Sequence, residues 1–196
     1  MPEAIRSDNG SPFANVHAVL GLSRLSAWWL VLGIDLERNR PGCPQDNGAH
    51  ERMHLDISRE LEGESRGAQQ ASLEQWRQTF NQDRPHEALG MKCPAEAYEP
   101  SPRSYAGTPA DLSYQAMARR KVSSNGKIKL GGQDYFISTA LQGWSVGLEP
   151  GREGVWNVWF GRLLLGQIEP NTASFRPATE QPIDPKEDGG GLERKS

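Results

Sequence analysis

The sequence predicts an α/β domain followed by a small all-β barrel. In residues 1–99, apolar side chains recur at three- and four-residue steps, which is typical of helices, and short strand segments accompany them. Residues 100–118 are rich in Pro and Ser and form a predicted linker. Short strand patterns separated by glycines then fill residues 119–175, which indicates a small barrel. Residues 176–196 are predicted to be a disordered tail.

The first domain is expected to combine two short strands with four helices. A strand is predicted to end at residues 4–6, before turn residues 7–10, and a second strand to lie at 34–36. Helices are predicted at residues 15–33, from 45 or 47 to 61, at 71–80 and at 91–98. Trp28 and Trp29 of the first helix are expected in the core, and residues 62–70 form a loop.

The second module has a strong turn signal at Asn125-Gly126. Apolar alternation on both sides of this dipeptide predicts a hairpin that pairs residues 121–124 with residues 127–130. Further strands are predicted at residues 133–139, 145–148, 155–160 and 162–168.

The charge is unevenly distributed along the chain. Residues 1–100 carry 10 basic and 15 acidic side chains, whereas residues 101–175 carry 8 and 5. The basic excess of the second module is compatible with phosphate binding and equally with an ordinary solvated surface. The two cysteines lack metal-site spacing and indicate free thiols in a reducing compartment. No apolar run approaches the roughly 20 residues that span a bilayer, and no signal peptide is present, so a cytoplasmic protein without membrane contact is expected.

Residues 42–56 contain the densest group of candidate site residues. His50-Glu51-Arg52-Met53-His54 has the H-E-x-x-H spacing of a zinc metalloprotease, in which two imidazoles bind zinc and the glutamate is the general base. Glu74 is the candidate third ligand. The polar flanks of this helix differ from those of a buried active-site helix, which disfavours the zinc interpretation.

A second interpretation pairs Glu51 with Asp8 as metal-binding carboxylates. Phosphoryl transfer by Mg²⁺ needs a few carboxylates that converge on one point. Asp8 follows the carboxyl end of a predicted strand, the position where open α/β sheets carry their catalytic and binding residues. Glu51 lies in the first turn of a predicted helix. The local alternative is that Asp8 makes an Asx-turn.

Three blocks of sequence carry a resemblance to a known family. IRSDNGSPF, PGCPQDNGAHERMHLDI and FNQDRPHEALGMKCPAEAY, in this order, resemble the integrase-core (DDE) transposases of bacterial insertion sequences. The resemblance implies the C-terminal part of a ribonuclease H-like catalytic domain in residues 1–99. It also implies that Asp8 and Glu51 are the second and third catalytic carboxylates and ligands of Mg²⁺ or Mn²⁺. The implied reaction is attack of water, and then of a DNA 3′-hydroxyl, on phosphodiesters.

The second module resembles the C-terminal barrel of the same family. The resemblance implies DNA as the partner, both the element's ends and its target. By the same resemblance, the candidate DNA contacts are basic residues in and just before the predicted hairpin: Arg119, Arg120, Lys121, Lys127 and Lys129. A homo-oligomer or an association with a full-length transposase is left open.

One departure from the family pattern concerns the first catalytic aspartate. In the family it lies on an upstream strand, but only seven residues precede Asp8. We therefore expect an N-terminally truncated transposase that does not catalyse transposition alone and for which no cofactor is certain. The alternatives are a non-catalytic DNA-binding remnant or transposase partner, and the disfavoured zinc metalloprotease.

Overall fold

The computed structural model of the protein describes residues 1–40, 43 and 48–179, and these residues form two compact units. Unit 1 contains residues 1–9 and 33–108, and unit 2 contains residues 10–32 together with the chain from residue 109. Unit 2 therefore takes a segment from the middle of the predicted first domain. In the described part of the chain, no helix has the length and apolarity required to cross a membrane.

Unit 1 contains a parallel pair of strands. β1 (Ala4–Ser7) pairs with β2 (Asp35–Arg38), in a register that sets Ala4 opposite Asp35 and Arg6 opposite Glu37. The Arg6 guanidinium lies 2.9 Å from the Glu37 carboxylate, an exposed ion pair that contributes little stability. The predicted strand end at residues 4–6 is confirmed, and the second strand begins one residue later than predicted and runs to Arg38.

Arg103 holds the N-terminal ends of these two strands in place. Its Nη1 donates to the carbonyl of Pro2 at 3.0 Å and its Nη2 donates to the carbonyl of Gly33 at 2.9 Å. The amino group of Met1 donates in turn to the carbonyl of Arg103. Part of the segment with linker composition is thus hydrogen-bonded to the start of both strands.

The described residues of unit 1 also form three α-helices: α2 (Gly48–Glu60), α3 (Arg66–Gln82) and α4 (Pro94–Ala97). All three were predicted, but α3 starts five residues before the predicted position because Ser65 caps it, accepting from the Ala68 N–H at 3.2 Å. The predicted start of α2, at residue 45 or 47, lies outside the described residues.

An ion pair and two aromatic contacts lie around the C-terminal ends of α2 and α3. The Arg84 guanidinium lies 2.8 Å from the Glu60 carboxylate, and its hydrogen bond lowers the pKa of Glu60. Trp76 stacks on Phe80 with ring centroids 4.8 Å apart, and Phe80 contacts His86 at 4.7 Å. The ion pair thus joins the end of α2 to the segment that follows α3, and the Phe80–His86 contact packs that same segment on α3.

In unit 2 the predicted helix at 15–33 is wrong in its first half. Leu20 and Gly21 have φ values of 49° and 63°, which break any helix at that point. α1 (Arg24–Val31) begins only after Ser23, whose side chain and that of Ser26 form a reciprocal capping box. Trp29 stacks on Phe13 with ring centroids 5.9 Å apart, which packs the helix against the preceding loop.

Seven strands lie in the described part of unit 2 that follows α1. They are β3 (Ala118–Lys121), β4 (Lys127–Leu130), β5 (Gln133–Phe136), β6 (Ser145–Pro150), β7 (Trp156–Phe160), β8 (Leu163–Glu169) and β9 (Ser174–Pro177). Five of them make an antiparallel sheet in the order β3-β6-β7-β8-β9, and β4 pairs with β5 separately. The core consists of inward-facing apolar side chains: Val146, Leu148, Val158, Phe160, Leu165 and Ile168.

Three expectations for this module differ from the structure. The strands of the described residues do not close into a barrel. The strand β9 extends to Pro177, beyond the start of the predicted tail, and residues 180–196 lie outside the described residues. The predicted hairpin around Asn125-Gly126 is wrong, because β4 pairs with β5 and β3 pairs with β6. The turn of the true hairpin is Gly131-Gly132, with φ values of 59° and 83°.

Asp111 anchors the segment before β3 to the sheet. Its Oδ2 accepts from the Ser145 hydroxyl at 2.6 Å, and its Oδ1 accepts from the N–H groups of Ser145 and Leu112 at 2.9 and 3.0 Å. Nearby, the Tyr114 hydroxyl donates to the Ser145 carbonyl at 2.9 Å and accepts from the Gly161 N–H at 3.1 Å. Burial would raise the pKa of Asp111, but the hydrogen bonds outweigh burial and the pKa is lowered.

We expect Asp111→Asn to destabilise unit 2 by about 1–2 kcal/mol, because charge-assisted hydrogen bonds are removed at a site that solvent partly screens. Since the folded pKa lies below the unfolded value, this stabilisation is present above the unfolded pKa of about 4 and is lost as the pH falls through the folded pKa. Urea unfolding of both proteins at pH 7 and pH 3 measures it. The difference should shrink at pH 3, and Asp134→Asn, an exposed control, should change little.

Candidate functional site

Asp8 lies at the carboxyl end of the parallel strand pair. It directly follows Ser7, the last residue of β1, and its side chain is exposed. The turn that carries it is attached to the end of β2: the Asn39 N–H donates to the Ser7 carbonyl at 3.2 Å, and the Asn9 amide donates to the Asn39 carbonyl at 3.0 Å. The position of Asp8 is therefore set by the strand register and by these two hydrogen bonds.

Glu51 lies in the first turn of α2. Its carboxylate is exposed, and the positive end of the helix dipole favours a negative charge there. Leu55, one turn later, is 53% exposed, so the helix face that carries Glu51 is accessible to solvent. Glu51 and Asp8 both belong to unit 1.

The two carboxylates fit a hard divalent cation in donor type. Mg²⁺ and Mn²⁺ prefer carboxylate oxygens, and Mg²⁺ is commonly held by one or two of them together with substrate oxygens. Among the described residues, no three or more His, Cys, Asp or Glu side chains lie close enough together to hold a metal ion. The structure thus brings Asp8 and Glu51 into one unit without adding a third acidic ligand from the described residues.

The two histidines beside Glu51 contact each other. The Nε2 atoms of His50 and His54 lie 3.0 Å apart, and both side chains are exposed. Glu74, the predicted third zinc ligand, instead forms a two-point contact with Arg77 at 3.0 and 2.5 Å. The described residues therefore assign Glu74 to an ion pair within α3, and the histidine pair has no third protein ligand among them.

The five predicted DNA contacts fall into two groups. Arg119 and Lys121 on β3 and Lys129 on β4 are exposed, and Lys127 is half-buried. Arg120 differs from these four, because its Nε donates to the Lys129 carbonyl at 3.1 Å and its Nη1 donates to the Arg119 carbonyl at 2.9 Å. We refer to Arg119, Lys121, Lys127 and Lys129 as the basic strand surface. Arg120 instead bonds the backbones of β3 and β4 together.

The sequence interpretation missed one exposed aromatic residue beside this surface. Phe136 is 56% exposed and lies directly opposite Lys127 in the β4–β5 register. The sequence signal for this register is the Gly131-Gly132 dipeptide, which favours a two-residue hairpin loop, but Asn125-Gly126 is a competing turn of the same kind.

We expect the purified protein to contain no stoichiometric zinc, and His54→Ala to leave the metal content unchanged. Two exposed imidazoles bind zinc weakly without a third protein ligand. Mass spectrometry of metals after gel filtration measures the content, with His17→Ala as the matched control. Stoichiometric zinc that disappears in His54→Ala and remains in His17→Ala would restore the protease interpretation.

Two family models match the chain. Residues 32–94 match the integrase core domain, and residues 117–175 match the C-terminal domain of IS481 family transposases. Together the matches cover more than half of the chain; the first includes Glu51 and the second includes the basic strand surface, while Asp8 lies outside both. An integrase core domain implies a ribonuclease H-like α/β fold and a DNA substrate, and such domains typically use a divalent metal. The chain belongs to the insertion-sequence transposases that carry an integrase core domain.

Proposed function

We propose that this chain contributes to DNA transposition by DDE-type phosphodiester cleavage and strand transfer. The observation that carries the proposal is the placement of Asp8 at the carboxyl end of β1, in the same unit as the α2 helix whose first turn presents Glu51. Glu51 lies inside the segment that matches the integrase core domain. Both side chains are exposed, as carboxylates that share a cation with a DNA phosphate need to be.

In this proposal Asp8 and Glu51 would hold Mg²⁺ or Mn²⁺. The bound metal would act as a Lewis acid on the scissile phosphate and activate the attacking water or 3′-hydroxyl. The chain's own contribution is orientation. The parallel register and the Asn9–Asn39 hydrogen bond fix the turn of Asp8, and the first turn of α2 presents Glu51.

The basic strand surface is the proposed DNA-binding surface. Residues 118–130 contain five basic side chains and no acidic one, so the region attracts phosphates. Three of the four side chains of the basic strand surface are exposed on β3 and β4, while Arg120 is occupied by backbone carbonyls. We assign phosphate contacts to Arg119, Lys121, Lys127 and Lys129 and a structural role to Arg120. The DNA substrate and the free thiols of Cys43 and Cys93 fit a cytoplasmic protein.

We further propose that the isolated 196-residue chain does not catalyse transposition. The family reaction uses three carboxylates, and the described residues present no group of three that could hold a metal. A full-length transposase that associates with this chain would complete the set. This observation also favours the second candidate function, a DNA-binding partner without activity of its own.

We expect the purified chain to show no Mg²⁺- or Mn²⁺-dependent nicking of a plasmid that carries the ends of its element. Two carboxylates leave the second metal of an in-line displacement poorly held. Gel analysis of the labelled plasmid measures nicking, and the double variant Asp8→Asn/Glu51→Gln sets the background from contaminating nucleases. Nicking that exceeds this background would refute the proposed inactivity and would assign catalysis to these two residues.

We expect Lys121→Gln and Lys129→Gln each to weaken duplex DNA binding about equally for all sequences. Each should reduce the slope of log K against log salt by roughly 0.9 for every phosphate that the lysine no longer neutralises. Fluorescence anisotropy over a salt series measures this slope. Lys92→Gln removes an exposed lysine of unit 1 and is the matched control. Equal slopes for all four proteins would exclude these strands as the DNA-binding surface.

A further inference from the structure

Two adjoining cavities in unit 2 form a cleft beside the basic strand surface. Their volumes are about 590 and 360 Å³, and Asn15 and Thr139 line both. We call the pair the 136–142 cleft, since the chain from Phe136 to Gln142 forms one wall. Cavities of roughly 300–1,000 Å³ bind drug-sized ligands. Even the smaller cavity is therefore large enough for a single nucleobase.

Phe136 provides a flat apolar platform at the smaller cavity. It lines that cavity together with Phe175 of β9, and it is 56% exposed. The ring lies against Gly126, where an added Cβ would come within 2.9 Å of Phe136 Cε2. The glycine thus gives the ring a close backbone support on one side while much of the ring remains accessible to solvent. Exposed aromatic surface supported in this way suits stacking against another ring.

Cationic side chains flank the platform. The β4–β5 register sets Lys127 opposite Phe136 and Lys129 opposite Asp134, and all four residues share one face of the hairpin. The other face is the buried one, with Ile128 and Tyr135 at 2% and 4% exposure. The Arg24 side chain lines the larger cavity and donates to Gln142. Arg24 therefore lies at the larger cavity, and Lys127 lies opposite the phenylalanine that lines the smaller one.

We propose that the 136–142 cleft binds an unpaired nucleotide of the DNA substrate, with its base stacked on Phe136 and its phosphate near Lys127. The inference rests on the proposed DNA-binding function. In the interior of a duplex the faces of the bases are covered by their neighbours and only their edges are accessible, so stacking on an exposed phenyl ring requires a base outside that stack. The neighbouring nucleotides of the same strand lie along the cleft toward Arg24.

The test compares two DNA probes: a blunt duplex and the same duplex with a short unpaired 3′ extension that carries 2-aminopurine. Stacking on Phe136 quenches 2-aminopurine fluorescence, and anisotropy gives the affinity. We expect the extended probe to bind more tightly than the blunt probe. Phe136→Ala should weaken only the extended probe, by roughly tenfold, or about 1.4 kcal/mol, within the range of one base–aromatic stack.

Two further variants separate stacking from structural damage. Phe136→Trp retains a stacking ring and should keep both the quenching and the preference for the extended probe. Tyr98→Ala removes an exposed aromatic side chain of unit 1 and should change neither. Thermal unfolding of each variant checks the fold. If Phe136→Ala unfolds and the other variants do not, Phe136→Leu replaces it. Loss of quenching in Phe136→Leu together with its retention in Phe136→Trp would show that the base stacks on the aromatic ring.

The outcomes distinguish this inference from the function on which it rests. Equal binding of the blunt and extended probes, unaffected by Phe136→Ala, overturns the cleft assignment and leaves the basic strand surface in place. Binding of neither probe at low salt overturns both. Tighter binding of the extended probe that persists in Phe136→Ala shows that unpaired DNA is recognised elsewhere, and it also overturns the assignment.

Discussion

The parallel pairing of β1 with β2 is the constraint on which the candidate catalytic site depends. Parallel strands cannot be joined by a tight turn, so the chain must leave the pair after β1 and return to it before β2. Residues 10–32, which make this crossover, belong to unit 2. A pair of four-residue strands is marginal in isolation. Hydrogen bonds at both ends of the strands stabilise the pair. Arg103 donates to Pro2 and Gly33 before the strands begin, and Asn9 donates to Asn39 after they end. If the register slipped, Asp8 would no longer follow the strand end.

The sequence identified β4 to β8 because their apolar side chains recur in short segments that are separated by glycines. It placed β3, which has the sequence ARRK, three residues too late, and it did not predict β9. It could not choose between two glycine turns, Asn125-Gly126 and Gly131-Gly132, since both are favourable locally. Contacts between residues distant in sequence determine which of the two turns forms the hairpin. The Gly126 carbonyl accepts from the N–H groups of Ile137 and Ser138, at 2.9 and 3.2 Å, so this turn packs on a later segment. The helix predicted at 15–33 failed for a similar reason, because Leu20 adopts a positive φ that no periodicity reveals.

The residue types of the candidate site were also predictable, whereas their partners were not. Asp8 was assigned to a strand end and Glu51 to a helix start from local patterns, and the structure places them there. Whether further acidic groups join them depends on contacts distant in sequence. The partners of Arg120, among the basic residues, were likewise not predictable from the sequence. The sequence does not distinguish Arg120 from Arg119. In the structure, however, Arg120 donates a hydrogen bond to the carbonyl of Lys129, nine residues away, and so joins β3 to β4.

In the proposed function, the β4–β5 hairpin would combine two forms of DNA recognition that act over different distances. The attraction of lysines to phosphates extends over roughly 8 Å at physiological salt. It depends little on the DNA sequence or on whether the strand is paired. Stacking on Phe136 acts only in contact and requires a base that has left the duplex. In a cell, duplex phosphates vastly outnumber frayed ends, so the basic strand surface alone would hold the protein on interior DNA. A preference for an end requires a contact that interior DNA cannot make. Lys127 and Phe136 lie opposite each other in one hairpin, so in this proposal they would join the two kinds of contact at a single nucleotide.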